Sequence, residues 1–184
     1  AFSGVGPVNG KVVWYLDRNG EGLTEASERL AEALTDSAGH YNLTLPSLAA
    51  GLTHALLAVA VDRFGNVSAT STSIALSVDT RPPALPTLDS VTGDNAVSLA
   101  EQQAGVAFSG TGEAGTKVLV QRTQGGETLV DEVVVGLQGL WTLTIAADNW
   151  GQIATGSVDV QVRQVDPAGN DSGWTTALPV SVTL

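Results

Sequence analysis

The 184-residue chain contains no cysteine and no methionine, and it has only eight lysine and arginine residues. Without cysteine there can be no disulfide framework, no thiolate zinc site and no thiol nucleophile. The chain has 19 acidic residues against eight basic ones, so its net charge is −11. It therefore lacks the stripe of basic residues that binding to a nucleic-acid phosphate backbone requires. We therefore expect no nucleic-acid partner, and divalent cations are the more natural ligands.

Long apolar runs are also missing. The longest covers residues 55–61, which is too short to span a bilayer, and the N-terminus lacks the basic-then-apolar layout of a signal peptide. We predict no membrane insertion. The chain begins within a strand-like pattern and without methionine, which favours a fragment of a longer protein.

Motifs for catalysis are equally scarce. His40 and His54 fall on different predicted strands, with no serine–histidine–aspartate arrangement near either. The glycines form neither a phosphate-binding loop nor a dinucleotide fingerprint followed by a helix. Carboxylate pairs are numerous, but an acidic surface produces them without any glycosidase function. The sequence predicts that the chain is not an enzyme.

The most informative feature present is an internal repeat. The sequence AFSG at residues 1–4 recurs at 107–110, and GHYNLTL at 39–45 parallels GLWTLTI at 139–145. Likewise VDRFGN at 61–66 parallels VDPAGN at 165–170. Tandem prolines at 82–83 interrupt the pattern between the two copies, because proline cannot continue a central strand. We predict two domains, at residues 1–79 and 80–184.

Both copies alternate apolar and polar residues in short runs separated by Gly, Asn and Asp turns. This pattern is typical of β-sandwiches, so we predict an all-β chain of two tandem immunoglobulin-like sandwiches. The second copy has an extra strand at about residues 85–91. The first copy lacks this first strand, which leaves an incomplete sheet edge.

Only the first copy carries an insertion, which lies between its third and fourth predicted strands, counting the missing first strand. There Leu23, Leu30, Ala33 and Leu34 approximate one helical stripe, which predicts a short helical insertion over residues 25–34.

The strand at residues 56–61 of the first copy is apolar on both faces. At its outward positions it has Leu57 and Val59, where the second copy has Gln161 and Arg163. Because a strand that is apolar on both faces is normally covered on both, we predict that the insertion folds over Leu57 and Val59. The alternative is that this face is bare.

Three separated motifs carry a family resemblance: DTRPPALPTLDSVTGDN at 79–95, GTGEAG at 110–115 and VDPAGN at 165–170. Together they resemble the bacterial immunoglobulin-like repeats of giant type I-secreted, RTX-type surface adhesins of biofilms. The resemblance implies an extracellular extender module on the bacterial cell surface, rigidified by calcium at domain junctions. Its partners would be neighbouring repeats of the same parent chain, and we expect a monomer.

The acidic segment of the first copy, residues 17–28, has the spacing of a twelve-residue calcium loop. Calcium takes about six to eight hard oxygens, and alternate residues can point oxygens inward only if a glycine permits a sharp turn at the sixth position, here Gly22. The predicted ligands are the side chains of Asp17, Asn19, Glu21, Glu25 and Glu28 and the carbonyl of Leu23. This segment also resembles the calcium-loaded B-type repeats of Gram-positive surface proteins. The alternative is a solvated acidic hairpin that needs no metal.

A second calcium site is predicted at the domain junction. In an immunoglobulin-like sandwich the loop between the last two strands faces the incoming linker. The predicted ligands are Asp79, Asp166, Asn170 and Asp171. The alternative is that residues 169–170 form a turn capped by an aspartate, without metal. By the same geometry the matching pair Asp62 and Asn66 is expected to form an incomplete half-site.

Four tryptophans raise a rival function, namely a carbohydrate- or protein-ligand-binding domain at an adhesin tip that contacts a host or biofilm-matrix ligand. Exposed aromatic rings stack on sugars, but Trp14 and Trp141 fall on inward strand phases and are predicted to be core. Only Trp150 and Trp174 lie in or beside loops.

Overall fold

The computed structural model of the chain describes residues 2–150 and 153–184. The chain forms two compact units, Ala1–Thr80 and Arg81–Leu184. The boundary between them lies one residue beyond the position expected from the sequence, next to the tandem prolines that interrupt the repeat.

The first unit contains six strands. They are β1 (Phe2–Val5), β2 (Lys11–Asp17), β3 (Arg29–Leu34), β4 (His40–Leu43), β5 (Leu52–Val61) and β6 (Ile74–Val78). β1 pairs with β4, and the larger sheet has the order β3-β2-β5-β6. All of these pairs are antiparallel. The two sheets share one core, which contains the buried residues Val12, Trp14, Leu16, Ala33, Tyr41, Leu43 and Leu56.

The second unit repeats this plan with seven strands and a short helix. They are β7 (Ala96–Ser98), α1 (Leu99–Ala104), β8 (Val106–Thr111), β9 (Lys117–Gln124), β10 (Glu127–Val134), β11 (Leu140–Ile145), β12 (Gly156–Val165) and β13 (Leu178–Thr183). The sheets are β11-β8 and β10-β9-β12-β13-β7, in which β13 and β7 run parallel. The core contains the predicted inward residues Val118, Val120, Trp141, Ile145, Val158, Val160 and Val162. Each unit is therefore a β-sandwich, as the alternating pattern predicted.

The extra strand predicted at residues 85–91 is an extended segment rather than a regular strand. The backbone N–H of Thr87 donates to the carbonyl of Thr111 at 2.9 Å, and that of Asp89 donates to Ser109 at 2.8 Å. Residues 84–89 therefore run antiparallel beside β8. Prolines at 82, 83 and 86 have no N–H to donate, which explains why the ladder stays short. Gly110 is required here, since a Cβ at this position would lie 2.0 Å from the Thr87 carbonyl oxygen.

The predicted helix over residues 25–34 is wrong beyond its first turn. Only a single 3₁₀ turn, Ala26–Glu28, is helical, and the remainder is β3. β3 pairs with β2 from Lys11↔Leu34 to Trp14↔Ala31, and Lys11 forms an ion pair with Glu32 at 2.9 Å. Pairing with a buried strand outweighed the helix preference of a short Ala-, Leu- and Glu-rich segment.

The prediction that the insertion covers Leu57 and Val59 is also wrong. Both side chains are buried, with 2% and 5% of their surface exposed, so the alternative of a bare face is wrong as well. Leu30 packs instead against the core that contains Leu56, which lies on the opposite face of β5 because successive strand residues alternate. Leu34 is exposed.

Candidate metal site

The acidic loop begins where β2 ends, at Asp17. The two carboxylate oxygens of Asp17 accept hydrogen bonds from the backbone of Gly20, at 2.8 Å, and of Gly22, at 3.1 Å. The side-chain oxygen of Asn19 accepts from the backbone of Glu21 at 3.1 Å. Gly20 and Gly22 have φ values of 76° and 69°, in the left-handed region that favours glycine. The glycine at the sixth loop position therefore has the conformation that the calcium pattern requires.

Glu28 closes the loop from its other end. The 3₁₀ turn Ala26–Glu28 directs its side chain inward, so that only 5% of Glu28 is exposed. One carboxylate oxygen accepts a hydrogen bond from the backbone N–H of Arg18 at 2.8 Å, next to Asp17. The other oxygen is buried and has no hydrogen-bond partner among the described residues. A buried oxygen without a hydrogen-bond partner costs about 1–3 kcal/mol, and a bound cation would offset this cost.

The other predicted ligands remain at the surface. Glu21, Leu23 and Glu25 are exposed, and the carboxylate of Glu25 accepts from the hydroxyl of Ser27 at 3.4 Å. Within residues 2–150 and 153–184, no three acidic or histidine side chains are close enough to hold a metal ion. The loop thus brings the carboxylate of Glu28 to the backbone N–H that follows Asp17, while the side chains of Glu21 and Glu25 stay exposed.

The predicted junction ligands of the second unit are engaged in a turn. Asn170 donates to Asp166 twice, from its backbone at 2.9 Å and from its side chain at 2.8 Å. Asp171 forms an ion pair with Arg163 and accepts from the backbone of Gly173 at 2.7 Å. These contacts are the ones expected from the turn alternative. An ion shared by Asp79, Asp166, Asn170 and Asp171 stays a prediction.

The first unit has the same turn at Asp62 and Asn66, with the same two donations at 2.9 and 2.8 Å. In both turns the pKa of the aspartate lies below its usual value. The hydrogen bond from the asparagine side chain lowers it most, and hydrogen bonds from backbone N–H groups lower it further. Hydrogen bonds to the charged form therefore stabilise each turn when the carboxyl is ionised.

These lowered pKa values predict a loss of stability in acid. A carboxyl whose pKa is lower in the folded chain contributes stability above its unfolded pKa, about 3.9, and loses it as the pH falls through the folded value. We expect the melting temperature to be flat between about pH 7 and pH 5 and to fall below about pH 4. The double variant Asp62→Asn/Asp166→Asn should show a smaller fall, measured by circular dichroism. Asp159→Asn, on the exposed face of β12, is the control and should keep the full fall. An equal fall in the double variant would contradict this assignment.

The described tryptophans give little support to a sugar-binding platform. Trp14 and Trp141 are buried in the cores, as predicted. The ring of Trp174 is covered by the guanidinium of Arg163, whose carbon lies 4.8 Å from the ring centre. The side chain of Trp150 lies outside the described residues.

The described part of the chain contains no helix that is long and apolar enough to cross a membrane. Its fold defines the chain as a tandem immunoglobulin-like β-sandwich protein. No family model and no curated protein matches it.

Similar solved structures include tandem repeats of large bacterial adhesins. One is a tetra-tandem repeat from the extending region of a large adhesion protein, with 21% identity over 97% of this chain and 44% of that chain, and a TM-score of 0.42. Another is a Ca²⁺-stabilized adhesin with which an Antarctic bacterium binds ice, with 23% identity over 96% of this chain and 40% of that chain, and a TM-score of 0.39. The chain thus spans less than half of these two structures.

A third similar structure contains the fibronectin(III)-like modules of Clostridium thermocellum CbhA. It is 15% identical over 100% of this chain and 82% of that chain, with a TM-score of 0.50. At this identity the likeness concerns the fold, and it agrees with the two β-sandwich units described above.

Proposed function

We propose that the chain is a calcium-binding extender module of a large bacterial cell-surface adhesin, with no enzymatic activity. The architecture supports this role, since two copies of one sandwich in tandem are the arrangement expected of a repeat module. The junction motifs and the acidic loop of the sequence support it as well. The single observation that carries the calcium part is a buried carboxylate oxygen of Glu28 that has no hydrogen-bond partner among the described residues, while the other oxygen accepts from the N–H of Arg18.

In this proposal the ion is held between the two ends of the loop. Asp17, Asn19 and Glu28 would supply side-chain oxygens, Leu23 its carbonyl, and Glu21 and Glu25 would complete the set from the exposed part of the loop. A bound Ca²⁺ supplies positive charge to a set of hard oxygens, which is the chemistry this donor set offers. The chain's own contribution is to orient the first and last ligands, through the backbone N–H groups of Gly20, Gly22 and Arg18.

The position of the loop links metal binding to stiffness. It connects β2 to β3, so fixing the loop fixes one end of the larger sheet of the first unit. A second ion at the junction would remove bending freedom between neighbouring repeats. Extracellular calcium modules bind at about 10⁻⁴ to 10⁻³ M, so a module of this kind responds to calcium outside the cell. The partners would be neighbouring repeats of the same chain, and adhesion to a host or biofilm matrix would belong to other parts of it.

Calcium titration tests the proposal. For an affinity of about 10⁻⁴ M, about 1 mM calcium would raise the free energy of unfolding of the first unit by about 1.4 kcal/mol. Glu28→Gln should abolish this increase, because it removes a ligand charge. In chelator the same variant should be at least as stable as the native chain, because it replaces a carboxylate of which one buried oxygen has no hydrogen-bond partner among the described residues. Calorimetry with and without chelator measures both effects.

Glu127→Gln is the matched control, since it makes the same charge change on an exposed residue of the second unit. It should leave the calcium response intact. A calcium-induced increase that persists in Glu28→Gln would contradict the site. Small-angle scattering of the same samples tests the stiffening, and scattering curves that superimpose with and without chelator would argue against it.

A further inference from the structure

The two units differ in what covers the outer edge of the two-stranded sheet. β1 in the first unit is equivalent to β8 in the second, since Gly4 lies opposite Tyr41 as Gly110 lies opposite Trp141. In the second unit the outer edge of β8 is covered by residues 84–89, through the hydrogen bonds that Thr87 and Asp89 make to it. Among the strands that the structure describes, β1 pairs with β4 alone.

Side-chain burial reports the same difference. Phe108 and Gly110 of β8 are buried, whereas the equivalent Phe2 and Gly4 of β1 are only half-buried. Val5 and the equivalent Thr111 are both exposed, so the difference is confined to the inward-facing positions. The first unit therefore leaves open, along β1, the surface that residues 84–89 close in the second.

The edge of β1 also lacks the usual protection against pairing. Exposed edges normally carry charged residues, prolines or bulges that block another strand. β1 has the sequence FSGV, which contains no charged residue and no proline. Its register with β4 is uninterrupted, so it has no bulge. An edge of this kind accepts a further strand through its backbone groups.

We propose that the outer edge of β1 is a docking site for an extended segment of the same kind as residues 84–89, supplied by a neighbouring repeat of the adhesin chain. This partner rests on the proposed function, which places the chain in an array of repeats. The segment would run antiparallel to β1, with two N–H donors two residues apart directed at the carbonyls of Ser3 and Val5.

The second unit also defines the side chains that such a segment needs. The hydroxyl of Thr87 accepts from the backbone N–H of Thr111 at 2.8 Å, so a hydroxyl residue in the segment would accept from Val5. Leu88 packs against the core beside Phe108. An apolar residue at the equivalent position would cover Phe2, whose ring centre lies 5.2 Å from that of Trp14. The occupant is therefore an extended segment that carries a threonine-leucine pair like that of residues 87–88.

The test extends the complete chain at its N-terminus with a second copy of residues 81–91, followed by a flexible turn of about four glycine and serine residues. The control extension carries Thr87→Pro and Leu88→Asp in the added copy only, which removes a donor and the apolar contact. Hydrogen exchange followed by NMR then reports on the amide of Val5. We expect this amide to exchange at least roughly tenfold more slowly with the native extension than with the control. The amide of Thr111 is the internal reference and should be protected in both proteins.

The measurement is made in calcium and in chelator, which separates this proposal from the calcium site. Slow exchange of Val5 in both conditions supports docking even if calcium fails to stabilise the chain. Equal exchange rates with the two extensions would overturn the docking proposal, whatever the calcium response. Protection of Val5 that appears in the unextended chain and grows with protein concentration would assign the edge to a second copy and would also overturn it.

Discussion

Asp131→Ala is expected to lower the free energy of unfolding of the second unit by about 2–4 kcal/mol. Asp131 forms an ion pair with Arg122, whose side chain is only 1% exposed and lies on the same inward face of β9 as Val118 and Val120. Removing the carboxylate takes away the ion pair with Asp131 from a buried guanidinium. Because the side chain of Asp131 is one-third exposed, the expected loss lies below the about 3–5 kcal/mol of a fully buried pair. Urea unfolding followed by tryptophan fluorescence measures the loss.

The neighbouring residue offers a matched control. Glu132 forms an ion pair with Lys117 at 3.0 Å, but both side chains are largely exposed, so Glu132→Ala should cost less than about 1 kcal/mol. The double variant Arg122→Leu/Asp131→Ala introduces the residues that the first unit has at these positions, Leu16 and Ala31. It should recover most of the loss, because it leaves no buried charge. Equal losses in Asp131→Ala and Glu132→Ala would contradict the assignment.

Gln164→Leu is expected to lower the free energy of unfolding of the second unit by a similar amount, about 2–4 kcal/mol. The change removes the hydrogen-bond partner of several polar groups at once. Gln164 is fully buried, and its side-chain oxygen accepts from the backbone of Glu113 at 3.0 Å and from the hydroxyl of Thr116 at 2.8 Å. Its side-chain nitrogen donates to the carbonyl of Ala84 at 2.5 Å. Leucine fills the space but satisfies none of these groups. Chemical unfolding of the second unit measures the effect.

Gln161→Leu provides the comparison on the same strand. Gln161 is half-buried and donates one hydrogen bond, to the carbonyl of Thr175 at 2.7 Å. That carbonyl can exchange its partner for water, so the variant should lose less than about 1 kcal/mol. Equal losses in Gln161→Leu and Gln164→Leu would contradict the prediction that the hydrogen-bond network around Gln164 stabilises the second unit more than the single bond of Gln161.

The sandwich fold was predictable because one face of nearly every strand is buried. The alternation of Val118 and Val120, or of Val158, Val160 and Val162, leaves a single register that buries the apolar set. The internal repeat transferred this register to the first unit, where Trp14 and Tyr41 were correctly expected inside. Repetition and alternation are local features of the sequence, so they can be recognised without knowledge of the tertiary contacts.

β3 was missed because Leu30, Ala33 and Leu34 fit a helical stripe over too short a segment to distinguish period 3.6 from period 2. A usable signal was nevertheless present in the sequence. Each copy has a lysine at the start of one strand, Lys11 or Lys117, and a glutamate further along the chain, Glu32 or Glu132, that pairs with it across adjacent strands. Comparing the two copies at these charges would have identified β3 as the counterpart of β10.

The buried polar residues could not be predicted, because their burial depends on partners that are distant in sequence. Arg122 and Gln164 occupy inward strand positions, and their polar groups are satisfied there by partners that include Asp131, Thr116 and Ala84. The acidic loop was only partly predictable. Spacing identified Asp17 and Glu28 as its ends, but the Arg18 N–H that orients Glu28 belongs to the backbone and leaves no trace in composition.

Ala84 has a consequence for how the second unit carries mechanical load. Its backbone N–H donates to the carboxylate of Glu113 at 2.7 Å, while its carbonyl accepts from Gln164. A pull transmitted along residues 84–89 would therefore load these two bonds together with the backbone bonds of Thr87 and Asp89, which lie across the direction of the chain as in any antiparallel pair. Bonds loaded in shear must break as a group, whereas bonds at a peeling end break one after another. This group of hydrogen bonds would then set the rate of forced unfolding, and the side chain of Gln164 would help the second unit to resist tension.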